Sequence, residues 1–418
     1  MKFLFTILLI SSCLIGHGQL IQKVKPEEVG MSSERLTRID NLINDLVTKQ
    51  QIPGATVLII RNGKTAMLKS YGYSDIDKKT LLKESDIFRI ASQTKAITSL
   101  AVMMLFEEGK FLLDDPLHRY IPEFKSPSVL VTFNEKDSSY TTEAAKSEIT
   151  IRQLLTHTSG IDYAAIGSKE LKAIYAKAGV PSGIGTNKNT LADKMKVLAK
   201  LPLRHQPGEK FTYGLNTDVL GYLVEVLSKT SLDDFFAKRI FAPLGMKGTY
   251  FFLPKEKYSR LVSLYETKSD KVSKIEGSVY DKSDPNYPNT PGTYYSGGAG
   301  LSSTVEDYAK FLQLFLNGGT YNGTRLLSRK TVELMLTNQV QPPLTNQFGL
   351  GFGLETSQND YQSILSSGSF SWGGAFNTHY WADPKEKLIG LIFTNMYSSP
   401  HWNIGDKFKV LTYQAIVD

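Results

Sequence analysis

The chain has 418 residues, 41% of them hydrophobic and 21% charged, which is enough apolar material for a large core and an ordinary balance for a globular protein. Its formal charge of +7 is spread along the chain, which argues against nucleic acid as a partner, and no segment after the N-terminal leader approaches the ~20 apolar residues of a membrane span. Six histidines, at positions 17, 118, 157, 205, 379 and 401, show no metal-binding spacing. There is also no Walker loop, no dinucleotide fingerprint and no Gly-x-Ser-x-Gly elbow, so no metal or cofactor is expected and an α/β-hydrolase is excluded.

In chain order, residues 1–18 combine Lys2, an apolar run over 3–15 and the small residues Gly16 and Gly18, the pattern of a signal peptide cleaved before Gln19. This predicts export to the periplasm or beyond. Cleavage removes Lys2, taking the charge from +7 to +6, and Cys13, the one cysteine, so the mature chain forms no disulfide. Ile10-Ser11-Ser12-Cys13 also resembles a lipobox, and the alternative is a lipoprotein anchored at Cys13 on the outer face of a membrane; the short apolar run ahead of Cys13 favours the first reading.

Leu36, Ile39, Leu42, Ile43 and Leu46 then mark an amphipathic helix, and the apolar runs 55–61 and 64–71 flank Asn62-Gly63, a strong hairpin signal. Ser92-Gln93-Thr94-Lys95 opens a helix that is apolar almost all round, from Ala96 to Phe106, before Gly109 stops it. Alternation at Val129, Val131 and Phe133 followed by Tyr140-Thr141-Thr142 suggests a small hairpin insertion. Helical patterns recur over 149–155, 191–201 and 217–229, the last with Asn216 and Thr217 as caps. Near the C-terminus, 378–382 and 388–394 bracket the turn 383–387 as another hairpin, so strands gather at both ends and helices in the middle.

Ser92 and Lys95 form the only Ser-x-x-Lys in the chain. Residues i and i+3 share a helix face, so the Lys95 amine can reach the Ser92 hydroxyl and take its proton, and burial favours the neutral lysine that a base requires. His157 ends a helix-like run and precedes Thr158-Ser159-Gly160, which reads as a helix end and turn rather than as a general base.

The stretches Phe88-Arg89-Ile90-Ala91-Ser92-Gln93-Thr94-Lys95, Leu154-Leu155-Thr156-His157-Thr158-Ser159-Gly160, Pro207-Gly208 with Phe211-Thr212-Tyr213, Ser296-Gly297-Gly298-Ala299-Gly300 and Trp372-Gly373-Gly374 resemble, in this order, the serine β-lactamase, penicillin-binding protein and related esterase superfamily. The resemblance implies an α/β (α+β) β-lactamase-like fold. In it, an antiparallel sheet from both chain ends (about 26–90 and 295–418) carries packed helices, and an all-α subdomain (about 91–294) is inserted, all within one catalytic domain spanning 19–418. It also implies Tyr213 as the tyrosine that shares proton traffic with Ser92 and Lys95. Two departures bear on substrate: Asn216, which the resemblance implies as a substrate-binding residue, stands one place later than the family's Tyr-x-Asn, and Trp372-Gly373-Gly374 replaces Lys-Thr-Gly. A lysine there attracts a carboxylate. Tryptophan offers an apolar wall and one N–H instead, which suits a neutral ester. Gly373 and Gly374 let the strand approach the substrate, and the Ala375 N–H joins that of Ser92 as an oxyanion hole. The expectation is a serine hydrolase working through an acyl-enzyme on a small ester or amide, a carboxylesterase. The alternatives are a β-lactamase or D,D-peptidase and, from a different class, a penicillin-recognising module that acylates without turnover.

Overall fold

The computed structural model describes residues 22–418; the leader, its cleavage point and Cys13 lie outside them. The Asn62-Gly63 hairpin forms as β2 (Gly54–Arg61) and β3 (Lys64–Asp75), with both turn residues at positive φ, 54° and 72°, the geometry a two-residue turn needs to match the strand twist. The second hairpin joins β6 (Thr378–Asp383) to β7 (Leu388–Phe393). β7 then pairs antiparallel with β2, Leu388 opposite Arg61 through Phe393 opposite Thr56, and this ladder closes the two chain ends into one sheet.

With β1 (Gln22–Lys23), β4 (Gly353–Leu354) and β5 (Phe370–Gly374), the sheet order is β1-β3-β2-β7-β6-β5-β4, with a short strand at Thr80–Leu81 off β3. The expected all-antiparallel sheet is corrected at its edge, where β1 runs parallel to β3. A parallel neighbour needs a crossover, and helix α1 (Ser33–Thr48) followed by β2 supplies it.

Both faces of the sheet are covered, which is why β2 and β7 read as unbroken apolar runs. Val57 and Ile59 of β2 pack with Leu36, Ile39 and Ile43 of α1 and Phe408 of the C-terminal helix (Ile404–Tyr413). Leu58 and Ile60 face the opposite cluster, built from helix α2 (Thr94–Glu107) and the helix Val305–Leu316. Every α2 residue from Thr94 to Leu105 is buried, as its all-round apolar pattern requires.

The inserted region holds helices α3 (Ile151–Leu155) and α4 (Asn216–Ser228) among others. It is not all-α. The hairpin expected near 128–145 is present, Ser128–Phe133 with Tyr140–Ala144, but it pairs at Val129 with Leu203 and the Tyr140–Ala144 strand is exposed throughout. A second hairpin, Tyr265–Lys268 with Lys271–Lys274, turns at Ser269 and Asp270, both at positive φ, and bridges to the sheet region through Met396.

Candidate active site

Ser92 sits on a short turn. Ala91–Gln93 forms one 3-10 turn ahead of α2, so Ser92 precedes the α-helix and Lys95 lies in its first turn. Ala91 has φ +40°, a strained setting for a residue with a Cβ, and the surroundings hold it there. The Ile90 amide donates to the Leu301 carbonyl at 3.1 Å, the Leu301 amide to Thr94 Oγ1 at 3.1 Å, and the Tyr308 hydroxyl to the Gln93 carbonyl at 2.8 Å.

Lys95 Nζ lies 3.4 Å from Ser92 Oγ, 3.2 Å from the Tyr163 hydroxyl and 2.8 Å from the Gly298 carbonyl. It also stands over the Tyr213 ring, 4.5 Å from its centroid, and 5.2 Å from that of Tyr163. Burial disfavours the ammonium, but the hydroxyl and ring contacts of Tyr163 and Tyr213 outweigh it and raise the lysine's proton affinity. The expectation that burial leaves Lys95 neutral is thereby corrected: a carbonyl and two tyrosines make a cage for the charged form.

Tyr213 enters from the loop before α4. The Thr212 amide donates to the His157 carbonyl at 2.7 Å, and Thr212 Oγ1 pairs with His205 Nε2 at 2.7 Å, fixing the loop. The Tyr213 ring is wedged between His157 (4.9 Å), Tyr163 (5.6 Å) and Trp372 (5.6 Å), and the Trp372 indole N–H points to its hydroxyl at 3.4 Å. Phe348 closes the ring of aromatics between His157 and Trp372.

The third component is β5. A Cβ on Gly374 would lie 2.3 Å from the Ile90 carbonyl and 2.4 Å from Thr378 Oγ1, so only glycine lets this strand rest on the nucleophile turn. Gly373 and Trp372 precede it on the same strand, half-buried, and Ala375 follows directly, packed in a cluster with Ala91 and Phe376. Ser92, Lys95, Tyr213 and Trp372 thus converge from three distant parts of the chain, with Ala375 beside Ala91.

The Beta-lactamase family profile matches residues 39–412. The chain belongs to the Beta-lactamase family. Among related sequences, "Protein Rv1367c" of Mycobacterium tuberculosis is 32% identical over 353 residues, 81% of this chain and 84% of that protein. "Protein flp" of Staphylococcus aureus is 29% identical over 374 residues, 88% of this chain and 64% of that protein. Among solved structures, EstCE1, described as a hydrolase with promiscuous acyltransferase activity, superposes with a TM-score of 0.78 at 24% identity, covering 91% of this chain and 99% of its own. Simvastatin synthase (LovD) from Aspergillus terreus gives 0.76 at 24% identity, covering 91% and 98%. These likenesses show the fold.

Two roles expected of Asn216 in this Beta-lactamase family chain are corrected. It begins α4 without capping it, since Leu215 is the N-cap, and it does not face the cleft. Fully buried, it accepts from Ser159 Oγ at 2.5 Å and donates from Nδ2 to His157 Nδ1 at 3.0 Å. His157 is accordingly an acceptor at Nδ1, and burial together with the Lys95 charge holds its proton affinity well below the ordinary imidazole range. It is a neutral prop beneath Tyr213.

Tyr163 and the Gly298 carbonyl were not legible as parts of the site. Ser296-Gly297-Gly298 stood out as a motif without a role, and Tyr163 lies three residues past Gly160 with no local signal. Among the described residues no cluster of three or more His, Cys, Asp or Glu could hold a metal, and no helix is long and apolar enough to cross a membrane.

Proposed function

We propose that the protein is a carboxylesterase of the Beta-lactamase family, an exported serine acyl hydrolase acting on small neutral esters. The observation that carries this is the pairing of Ser92 and Lys95 at 3.4 Å beside a Tyr213 hydroxyl that faces an indole N–H rather than a second lysine. The leader pattern of residues 1–18 supports export.

In this reading Ser92 Oγ attacks the ester carbonyl carbon, and the oxyanion is held by the N–H groups of Ser92 and Ala375. Lys95 and Tyr213 share one dissociable proton. The deprotonated form of that pair accepts the Ser92 proton and passes it to the leaving alkoxide as the C–O bond breaks. Water then loses a proton to the same pair and attacks the acyl carbon, and the pair returns that proton to Ser92 Oγ as the acyl C–O bond breaks, releasing the acid and free Ser92. Trp372 supplies an apolar wall for the substrate and no charge to attract a carboxylate. The description of EstCE1 as a hydrolase with acyltransferase activity agrees with this chemistry.

The test is steady-state hydrolysis of p-nitrophenyl butyrate by the mature protein, with Ser92→Ala as control and folding checked by circular dichroism. Turnover that vanishes in the variant supports the esterase. A folded but inert wild type overturns it; penicillin turnover would then mark a β-lactamase or D,D-peptidase, and stoichiometric acylation without turnover a penicillin-recognising module.

A further inference from the structure

A carboxylate that no step above uses lies buried behind the Ser92–Lys95 pair. Asp218, in the first turn of α4, is 0% exposed. Ser296 Oγ donates to its Oδ1 at 2.7 Å, and the same hydroxyl accepts from the Ala299 amide at 3.0 Å, which ties the turn 296–299 to the carboxylate. The Gly298 amide and the Tyr294 hydroxyl also stabilise its charge. Asp218 Oδ2 lies so close that a Cβ on residue 298 would be 2.5 Å from it, which only glycine avoids. The other end of Gly298 faces the site, where its carbonyl accepts from Lys95 Nζ at 2.8 Å. Gly298 therefore lies between the two charges, against Asp218 Oδ2 on one side and with its carbonyl on Lys95 Nζ on the other.

We propose that Asp218 is the positioning residue and buried counter-charge of Lys95: through Ser296 and Gly298 it aims the carbonyl that holds the lysine, and its negative charge sets the pH at which Lys95 loses its proton. This rests on the acyl-enzyme reading above. Burial pushes the Asp218 carboxyl up to about 6, opposed by the Ser296 hydrogen bond and the Lys95 charge, so the group is ionised at neutral pH. The groups facing Asp218 are Lys95 from α2, Tyr163 from the loop after α3, and Tyr294 and Ser296 from the segment before residue 299. Tyr213 and His157 face Lys95 in turn. Burial raises the proton affinity of Tyr163 and lowers that of His157, so both are neutral and the interaction that titrates is the one between Asp218 and Lys95.

The experiment compares pH profiles of kcat/KM for p-nitrophenyl butyrate in wild type and Asp218→Asn, once wild-type turnover and its loss in Ser92→Ala have secured the underlying reading. Removing the negative charge is expected to move the ascending limb to lower pH by about half a unit or more, with the plateau reduced roughly tenfold as the 296–299 turn loosens. A reduced plateau on an unmoved limb assigns Asp218 a structural role alone and overturns the proposal, as does an unchanged profile. Where Asp218→Asn does not fold, Asp218→Ser replaces it; failure of both to fold places the carboxylate in the service of the fold and also overturns the proposal. An inert wild type defeats the esterase reading instead, so the two failures are told apart.

Discussion

Replacing Gly374 by alanine is the most direct test of how the sheet completes the site. The new Cβ would lie 2.3 Å from the Ile90 carbonyl, and Cβ atoms do not approach closer than 3.0 Å, so strand and turn must part by at least 0.7 Å (3.0 − 2.3). The Ile90 carbonyl is backbone and cannot swing away, whereas Thr378 Oγ1, 2.4 Å from the same Cβ, belongs to a side chain that can rotate. Ala375 follows immediately, so the N–H proposed as the second oxyanion donor moves with the strand while Ser92 and Lys95 keep their mutual contact. Loss of one oxyanion donor, or misplacement of this size, lowers kcat by about 10²-fold, and overpacking costs about 1–3 kcal/mol of stability. Stopped-flow release of p-nitrophenol from the butyrate ester, with a thermal melt alongside, reads both. A folded Gly374→Ala protein with kcat within about threefold of wild type would refute the proposed oxyanion role of Ala375.

Three further outcomes are expected. Because the site stabilises the Lys95 ammonium, kcat/KM should climb with pH over roughly pH 6 to 10, and a flat profile would show that the proton acceptor is already free at neutral pH. His157→Gln should fold and keep turnover within about tenfold of wild type; a loss as deep as in Ser92→Ala would make the imidazole a base after all. Asp383, buried at the end of β6, accepts from the Ser366, Lys385 and Glu386 amides at 3.2, 2.9 and 3.1 Å and from the Tyr413 hydroxyl at 2.6 Å. Burial pushes its proton affinity up, and these donors, Tyr413 foremost, more than offset that and hold it below the usual carboxylate range. Asp383→Asn should therefore destabilise the fold by about 2–3 kcal/mol at pH 7 in urea titrations. Since the folded pKa is depressed, that contribution is present above about pH 4 and fades as pH falls through the folded value, so variant and wild type should converge in acid.

The sheet was legible where local chemistry and pattern agreed. Asn62-Gly63 supplied both positive φ values that its hairpin needs, and the apolar runs of β2 and β7 announced strands covered on both faces. The hairpin around Ser269 and Asp270 has the same turn geometry without a glycine, so nothing marked it. In the site, Ser92 and Lys95 could be paired because three positions separate them. Gly298 reaches Lys95 across 203 positions, and no periodicity encodes that contact. Asn216 has the residue type of a helix cap, but Ser159 and His157, more than fifty positions away, claim its side chain. The charge of Lys95 was misread for a related reason: burial is a property of the helix pattern, whereas the acceptors that offset it come from elsewhere in the chain.

The β2–β7 ladder also decides when, in the life of the chain, chemistry can begin. Residues 54–61 leave the ribosome 327 positions (388 − 61) ahead of their ladder partners 388–393, and the strand bearing Trp372 and Gly374 emerges only shortly before those partners. Until then a growing chain carries Ser92 without Trp372 and Ala375 in place, and the β2–β3 hairpin waits with an edge unpaired. Long-range closure of this kind is slow and leaves that edge open to other chains meanwhile. Under the export and acyl-enzyme chemistry proposed above, the same delay would be protective, because the serine would not become competent on the side where the chain is synthesised.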